Sequence, residues 1–122
     1  YADELQHCLR YTYVLGSQNV TNNFERFDMG ICSSSTETRI FIKHPVLMRT
    51  EPTVSTPDAS QFQVSDTLTG YDASALSKMA GVSGPLHTSL AVTHASGTTA
   101  SRPYILERNN STTGRITFNA EL

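Results

Sequence analysis

The run Thr36–Pro57, TETRIFIKHPVLMRTEPTVSTP, constrains this chain more than any other stretch. Thr38 to Lys43 alternates, with Ile40 and Ile42 on one face and Phe41 on the other, which is the period of a β-strand. Pro45 has no N–H to give to a ladder, so the sheet is interrupted or edged there. A second short strand begins at Pro52. An alternating strand, a proline-punctuated bend and a new strand is how a β-sandwich turns a corner.

The rest of the chain reads the same way. Leu5 to Leu15 alternates, with Leu5, Leu9, Tyr11, Tyr13 and Leu15 on one parity and Cys8 and Val14 on the other. Phe27–Cys32, Gln61–Ser65, Leu86–His94, Pro103–Glu107 and Arg115–Leu122 are further strands, the last with Ile116, Phe118, Ala120 and Leu122 inward. Asp66–Pro85 is the longest irregular region, within which Asp72 is placed to cap a helical turn over Ala73–Met79. About eight short strands between turn signals predict an all-β fold, a jelly-roll-like antiparallel β-sandwich. With 122 residues the chain is one domain, 1–122, large enough to bury a core without staples.

Composition narrows the function classes. Charged residues make up 16% and the net charge is −2, with no basic run, so bulk electrostatics draws neither nucleic acid nor an anionic membrane. No apolar stretch approaches the ~20 residues of a membrane-inserted helix. Cys8 and Cys32 lack C-x-x-C spacing, which argues against zinc. They read as reduced structural thiols or as a Cys8–Cys32 disulfide, and both readings stay open.

Three segments carry a resemblance. DELQHCLRYTYVLG at the start, HPVLMRTEPTV from His44 to Val54 and ITFNAEL from Ile116 to Leu122 are similar to a domain of bacteriophage tail-fibre and other virion proteins. In that family the start is acidic-Leu-x-x-Cys-x-Arg-Tyr-x-Tyr, the centre Phe-Pro-Val-x-Met-Arg-x-x-Pro-Thr-Val and the close Ala-Glu-Leu. The matches run in order over nearly the whole chain, and the central one is the most specific. His44 departs from the pattern, standing where the family has an aromatic. The resemblance implies a C-terminal β-sandwich module of a longer fibre protein, located on the virion and made in the host cytoplasm. It also implies assembly as a homotrimer that touches host-surface glycan and the rest of the fibre or virion protein. Asn19 and Asn109 open glycosylation sequons, which would be idle in a phage protein.

The residues themselves offer little catalysis. Gly81-Val82-Ser83-Gly84 lacks the final glycine of a nucleophile elbow, because Pro85 stands there. Ser83, His87 and Asp72 make a triad only on paper, and the carboxylates are dispersed rather than paired. Esterase or glycosidase is a distant alternative, and no catalytic residue, metal ligand or cofactor is assigned. His7, His44 and His94 are metal candidates only if a three-fold axis gathers copies of one of them.

Sugar binding is the chemistry best matched. Aromatic rings lie against sugar C–H faces, and amides, carboxylates and guanidinium groups meet the hydroxyls. The candidate residues are Tyr71, Asp72, Arg102, Tyr104, Asn109 and Asn110, with Tyr71 the most exposed expectation. A trimer interface is expected from the apolar first strand, Leu9, Tyr11 and Tyr13, or from the corner Val46, Leu47, Met48 and Arg49. The competing class is purely structural: trimerisation, capping of a fibre or decoration of a virion.

Overall fold

The computed structural model describes residues 2–16, 24–56, 58–79, 81–111 and 114–120. Among these, a short helix, α1 (Ala2–Leu9), precedes nine strands: β1 (Thr12–Leu15), β2 (Arg26–Ser34), β3 (Glu37–Lys43), β4 (Thr53–Ser55), β5 (Phe62–Ser65), β6 (Gly70–Lys78), β7 (His87–His94), β8 (Pro103–Arg108) and β9 (Ile116–Asn119). Every strand pair is antiparallel.

The all-β antiparallel expectation holds, with a difference in architecture. Six strands close into a barrel in the order β2-β3-β7-β6-β5-β8, rather than forming one half of a two-sheet jelly roll. β5, β6 and β7 follow one another as a meander, and β8 returns to lie beside β5, which is a Greek key. β8 then pairs with β2 and β3 with β7, so the ring has no free edge. A six-stranded barrel is narrow enough for side chains to fill, and Ile40, Ile42, Phe62, Val64, Leu90, Val92 and Leu106 are all buried.

The remaining strands form a small sheet, β1-β9-β4. Its inner row is Tyr13, Phe118 and Val54, paired across the three strands. The Tyr13 and Phe118 rings stack with centroids 4.6 Å apart. His44, one residue past the end of β3, meets both rings, at 5.6 Å and 5.5 Å, and so ties this sheet to the barrel. The central motif therefore does turn a corner, from barrel to sheet.

Three local readings are corrected. Leu5–Leu15 is not one strand: Leu5 and Leu9 are four apart, which suits a helical turn as well as it suits strand parity. His7 and Tyr11 are also four apart and their rings lie 5.8 Å from each other, while the Tyr11 amide bonds the Cys8 carbonyl at 3.0 Å and closes the helix. Ala73–Met79 is not helical: Ala73–Lys78 belongs to β6, whose first residues pair with β5 and whose remainder pairs with β7. A bulge between Ala73 and Ala75 shifts its alternation midway, which hides the strand period. The strand read as Leu86–His94 begins at His87, and Leu86 is exposed. The disulfide alternative is not realised, since both cysteines are free, Cys8 exposed and Cys32 buried.

β3 with its next residue, and β7, carry the same pattern. TRIFIKH (38–44) and TSLAVTH (88–94) both read Thr-x-aliphatic-x-aliphatic-x-His. They pair antiparallel, with Thr38 opposite Val92, Ile40 opposite Leu90 and Ile42 opposite Thr88. Each histidine then faces the other segment's threonine: His44 Nε2 to Thr88 Oγ1 at 2.7 Å, and His94 Nε2 to Thr38 Oγ1 at 2.9 Å. Even the backbone repeats, with His44 N–H donating to Leu86 O and His94 N–H to Thr36 O, each at 2.9 Å. The ladder is locally two-fold symmetric.

Candidate functional site

The six glycan candidates do not form one site. Tyr71 and Tyr104 point into the barrel, where their rings meet edge to face at 6.2 Å. Tyr104 is buried and its hydroxyl accepts the Thr99 amide at 3.0 Å. Tyr71 is half-buried, contacts the His94 ring at 6.1 Å, and leaves no room for a side chain at Gly97. Tyr104 is a core residue and Tyr71 packs against the core, which corrects their assignment as exposed ligand contacts. Asp72 and Asn109 do meet, Asn109 Nδ2 donating to Asp72 Oδ1 at 2.9 Å, with exposed Asn110 adjoining them. Arg102 lies before β8 and Asn109 after it, about 20 Å apart at ~3.3 Å per strand residue. Arg102 instead adds its charge to the Leu68 and Thr69 amides that hold the Asp66 carboxyl below its usual value, the amides contributing most.

The interface candidates also divide. Tyr13 and Met48 are buried within the chain itself, and Leu9, Tyr11 and Val46 are half-buried. The Arg49 guanidinium lies 5.8 Å from the centre of the Tyr11 ring, and its amide bonds Arg10 O at 2.8 Å. The corner is thus packed against the turn between α1 and β1, and Leu47 is the member left most exposed. Large apolar side chains are exposed instead on the barrel flank, at Met29 and Ile31 of β2 and Phe41 of β3.

The paper triad stays apart in its bonding. The Ser83 hydroxyl donates to Met79 O at 2.9 Å and accepts the Ser89 amide at 3.0 Å. The His87 ring bonds Val82 O through Nε2 at 2.9 Å, and Asp72 is engaged by Asn109. Ser83 is therefore a brace that ties the 81–86 loop to Met79 and to β7. His44 and His94 use both ring nitrogens internally, the Nδ1 atoms donating to Pro85 O and Ala95 O at 2.8 Å each, so neither is free to ligate a metal. Among the described residues no cluster of three metal-ligating side chains occurs.

That brace shapes an open groove of about 640 Å³ on the barrel flank, lined by Phe41, Ile42, Lys43, Leu86, His87 and Ser89. Strand alternation puts Phe41 and Lys43 on the outer face of β3, directly opposite Ser89 and His87 of β7. The Phe41 ring is 49% exposed, an aromatic surface available to a ligand. A second depression of about 470 Å³ lies on the outer face of the small sheet, among Val14, Ser55, Thr56, Arg115 and Thr117, and offers hydroxyls without a ring. Phe41 was legible as outward-facing, but an isolated outward Phe carries no sequence signal for a groove; Leu86 and His87 arrive from far along the chain.

Two buried polar side chains, His44 beside the groove's strands and Arg108 at the end of β8, are held by internal hydrogen bonds. Burial holds His44 below its ordinary value of 6.5, with His87 adding to the lowering and the Pro85 carbonyl opposing it. Above that ordinary value both folded and unfolded chains keep the ring neutral and stability is complete. As pH falls through 6.5 the unfolded chain takes up a proton that the folded chain resists, so stability drops until the folded pKa is passed. The melting temperature should fall between pH 7.5 and 5.5, and the fall should be smaller in His44→Phe; an unchanged slope in that variant would count against this origin. Arg108 is fully buried at the end of β8, its Nε donating to Gly114 O at 2.8 Å and its Nη1 meeting Glu25 at 3.4 Å, with the guanidinium 5.9 Å from the Phe27 ring centre.

Comparison of the chain with family models, curated proteins and solved structures found no match.

Proposed function

We propose that this domain is a non-catalytic attachment module of a bacteriophage tail fibre or virion, binding host-surface glycan as a homotrimer. The observation that carries the binding role is the open groove beside Phe41: an exposed ring, an apolar wall from Leu86, and polar groups on Lys43 and His87. Ligand sites combine a mostly apolar concavity with a few polar groups that fix orientation. The three motifs resembling virion proteins support the setting. Three copies of a weak site gain avidity from geometry alone.

Phe41→Ala is expected to weaken binding of a host polysaccharide about tenfold, the loss of roughly 1.4 kcal/mol of ring contact. Thermal melting should change little, since the ring is half in solvent. Glycan-array or affinity-electrophoresis comparison of the two proteins decides it, and equal binding would remove Phe41 from the site. Tyr71→Ala, by contrast, should lower stability, because Tyr71 packs against Tyr104 and His94.

A structural role is favoured by a different observation, the exposed Met29 and Ile31 on the barrel flank, beside half-buried Ile105. A stable trimer by sedimentation that binds no polysaccharide would support capping or trimerisation instead.

A further inference from the structure

We propose that the groove takes an acidic saccharide, a sugar ring bearing a carboxylate, with that carboxylate on Lys43. This rests on the saccharide reading and specifies its ligand.

Four basic side chains are matched with carboxylates inside the chain: Arg26 with Glu107, Arg39 with Glu37, Lys78 with Glu51 and Arg108 with Glu25. Lys43 has no carboxylate within ion-pair distance among the described residues, and no carboxylate lines the groove. Its cross-strand partner is His87, another nitrogen base. The groove therefore has an electrostatic preference that its apolar wall does not set.

Val82 O can only accept, so His87 Nε2 carries the proton of their 2.9 Å bond. In the neutral ring Nδ1 is then an acceptor, suited to a hydroxyl donor. Lys43 offers only donors, suited to a carboxylate. Phe41 supplies the surface for C–H groups. A carboxylated sugar ring has all three complements in one residue. A fatty-acid anion has the carboxylate and the apolar body but no hydroxyl for His87.

The test uses the intact domain with alginate, a polyuronate, and with the same polymer after its carboxylates are reduced to alcohols, compared by affinity electrophoresis at ~0.15 M salt. Alginate is expected to bind about tenfold more tightly than the reduced polymer, and Lys43→Gln to erase that difference. Phe41→Ala should weaken both. Lys43 is exposed, so the variant's melting curve should match the parent and keep the comparison valid.

Equal binding of the two polymers, or an undiminished preference in Lys43→Gln, overturns the acidic assignment and leaves the saccharide reading standing. Decanoate or dextran sulfate bound as tightly as alginate, per anionic group, also overturns it, in favour of an amphiphile or of bare charge. If alginate and the reduced polymer both fail to bind, the saccharide reading falls with it.

Discussion

Gly30→Ala should destabilise the domain by at least ~3 kcal/mol, and Gly30→Val should leave no folded barrel. Gly30 sits in β2 with Ile40 of β3 on one side and Tyr104 of β8 on the other. A Cβ added there collides with the Arg39 carbonyl oxygen and falls 2.7 Å from both Arg39 C and Ile40 Cα. All three are backbone atoms, so no rotamer change relieves the clash. Overpacking ordinarily costs about 1–3 kcal/mol because neighbours shift. Here the neighbour is a strand held within a closed ring, and moving it breaks the β2–β3 ladder. For a chain of this size ~3 kcal/mol lowers the melting temperature by roughly 10 °C or more. Gly84→Ala is the control, since a Cβ there meets nothing within 4 Å. A Gly30→Ala melting curve within a few degrees of the parent would contradict the account.

Arg108→Ala should cost about 3–5 kcal/mol, the range for breaking a buried ion pair by removing one partner. The guanidinium is entirely out of water, and its loss strands the Gly114 carbonyl and leaves Glu25 short of a cation. It also removes the surface that covers the Phe27 ring. Arg108→Met refills most of the volume and should cost less than alanine. Pairing it with Glu25→Gln should recover part of the remainder, because the charge left behind is then gone too. Urea unfolding of these three variants and of Glu25→Gln alone reads these differences directly, and additive losses in the double variant would show that the two residues do not interact.

Much of the sheet structure was legible because side-chain alternation is a local property. Ile40 and Ile42 inward against Phe41 outward, and Ile116 and Phe118 inward against Thr117, are as the period demands. Reading failed where that period is broken or shared. The bulge at Ala73/Ala75 displaced Leu76 from the phase of Tyr71, so β6 looked irregular and its tyrosine looked exposed. Leu5 and Leu9 satisfied two periods at once, and the helix won. Barrel closure left no local trace except a glycine, since the meeting of β8 with both β5 and β2 is decided by contacts distant in sequence. The candidate site was the least legible part for the same reason: Phe41 and Lys43 become a groove only when Leu86 and His87 are brought beside them. The doubled Thr-x-aliphatic-x-aliphatic-x-His pattern was open to view, but it signals pairing only once the two segments are known to run antiparallel.

That doubled pattern bears on how the barrel finds its alignment. β3 and β7 lie far apart in the chain, so no tight turn sets which residue meets which. A slip of two residues keeps every side chain on its proper face and would go unpunished by hydrophobicity alone. The two imidazole–hydroxyl couples remove that tolerance. After such a slip neither histidine keeps the diagonal placement from which its ring meets the other segment's threonine, so both couples are disturbed at once. At about 1–3 kcal/mol for each buried polar group left unmatched, the misaligned seam is penalised twice over. The symmetric ends thus act as a proofreading device, accepting one alignment of the seam and rejecting its near neighbours.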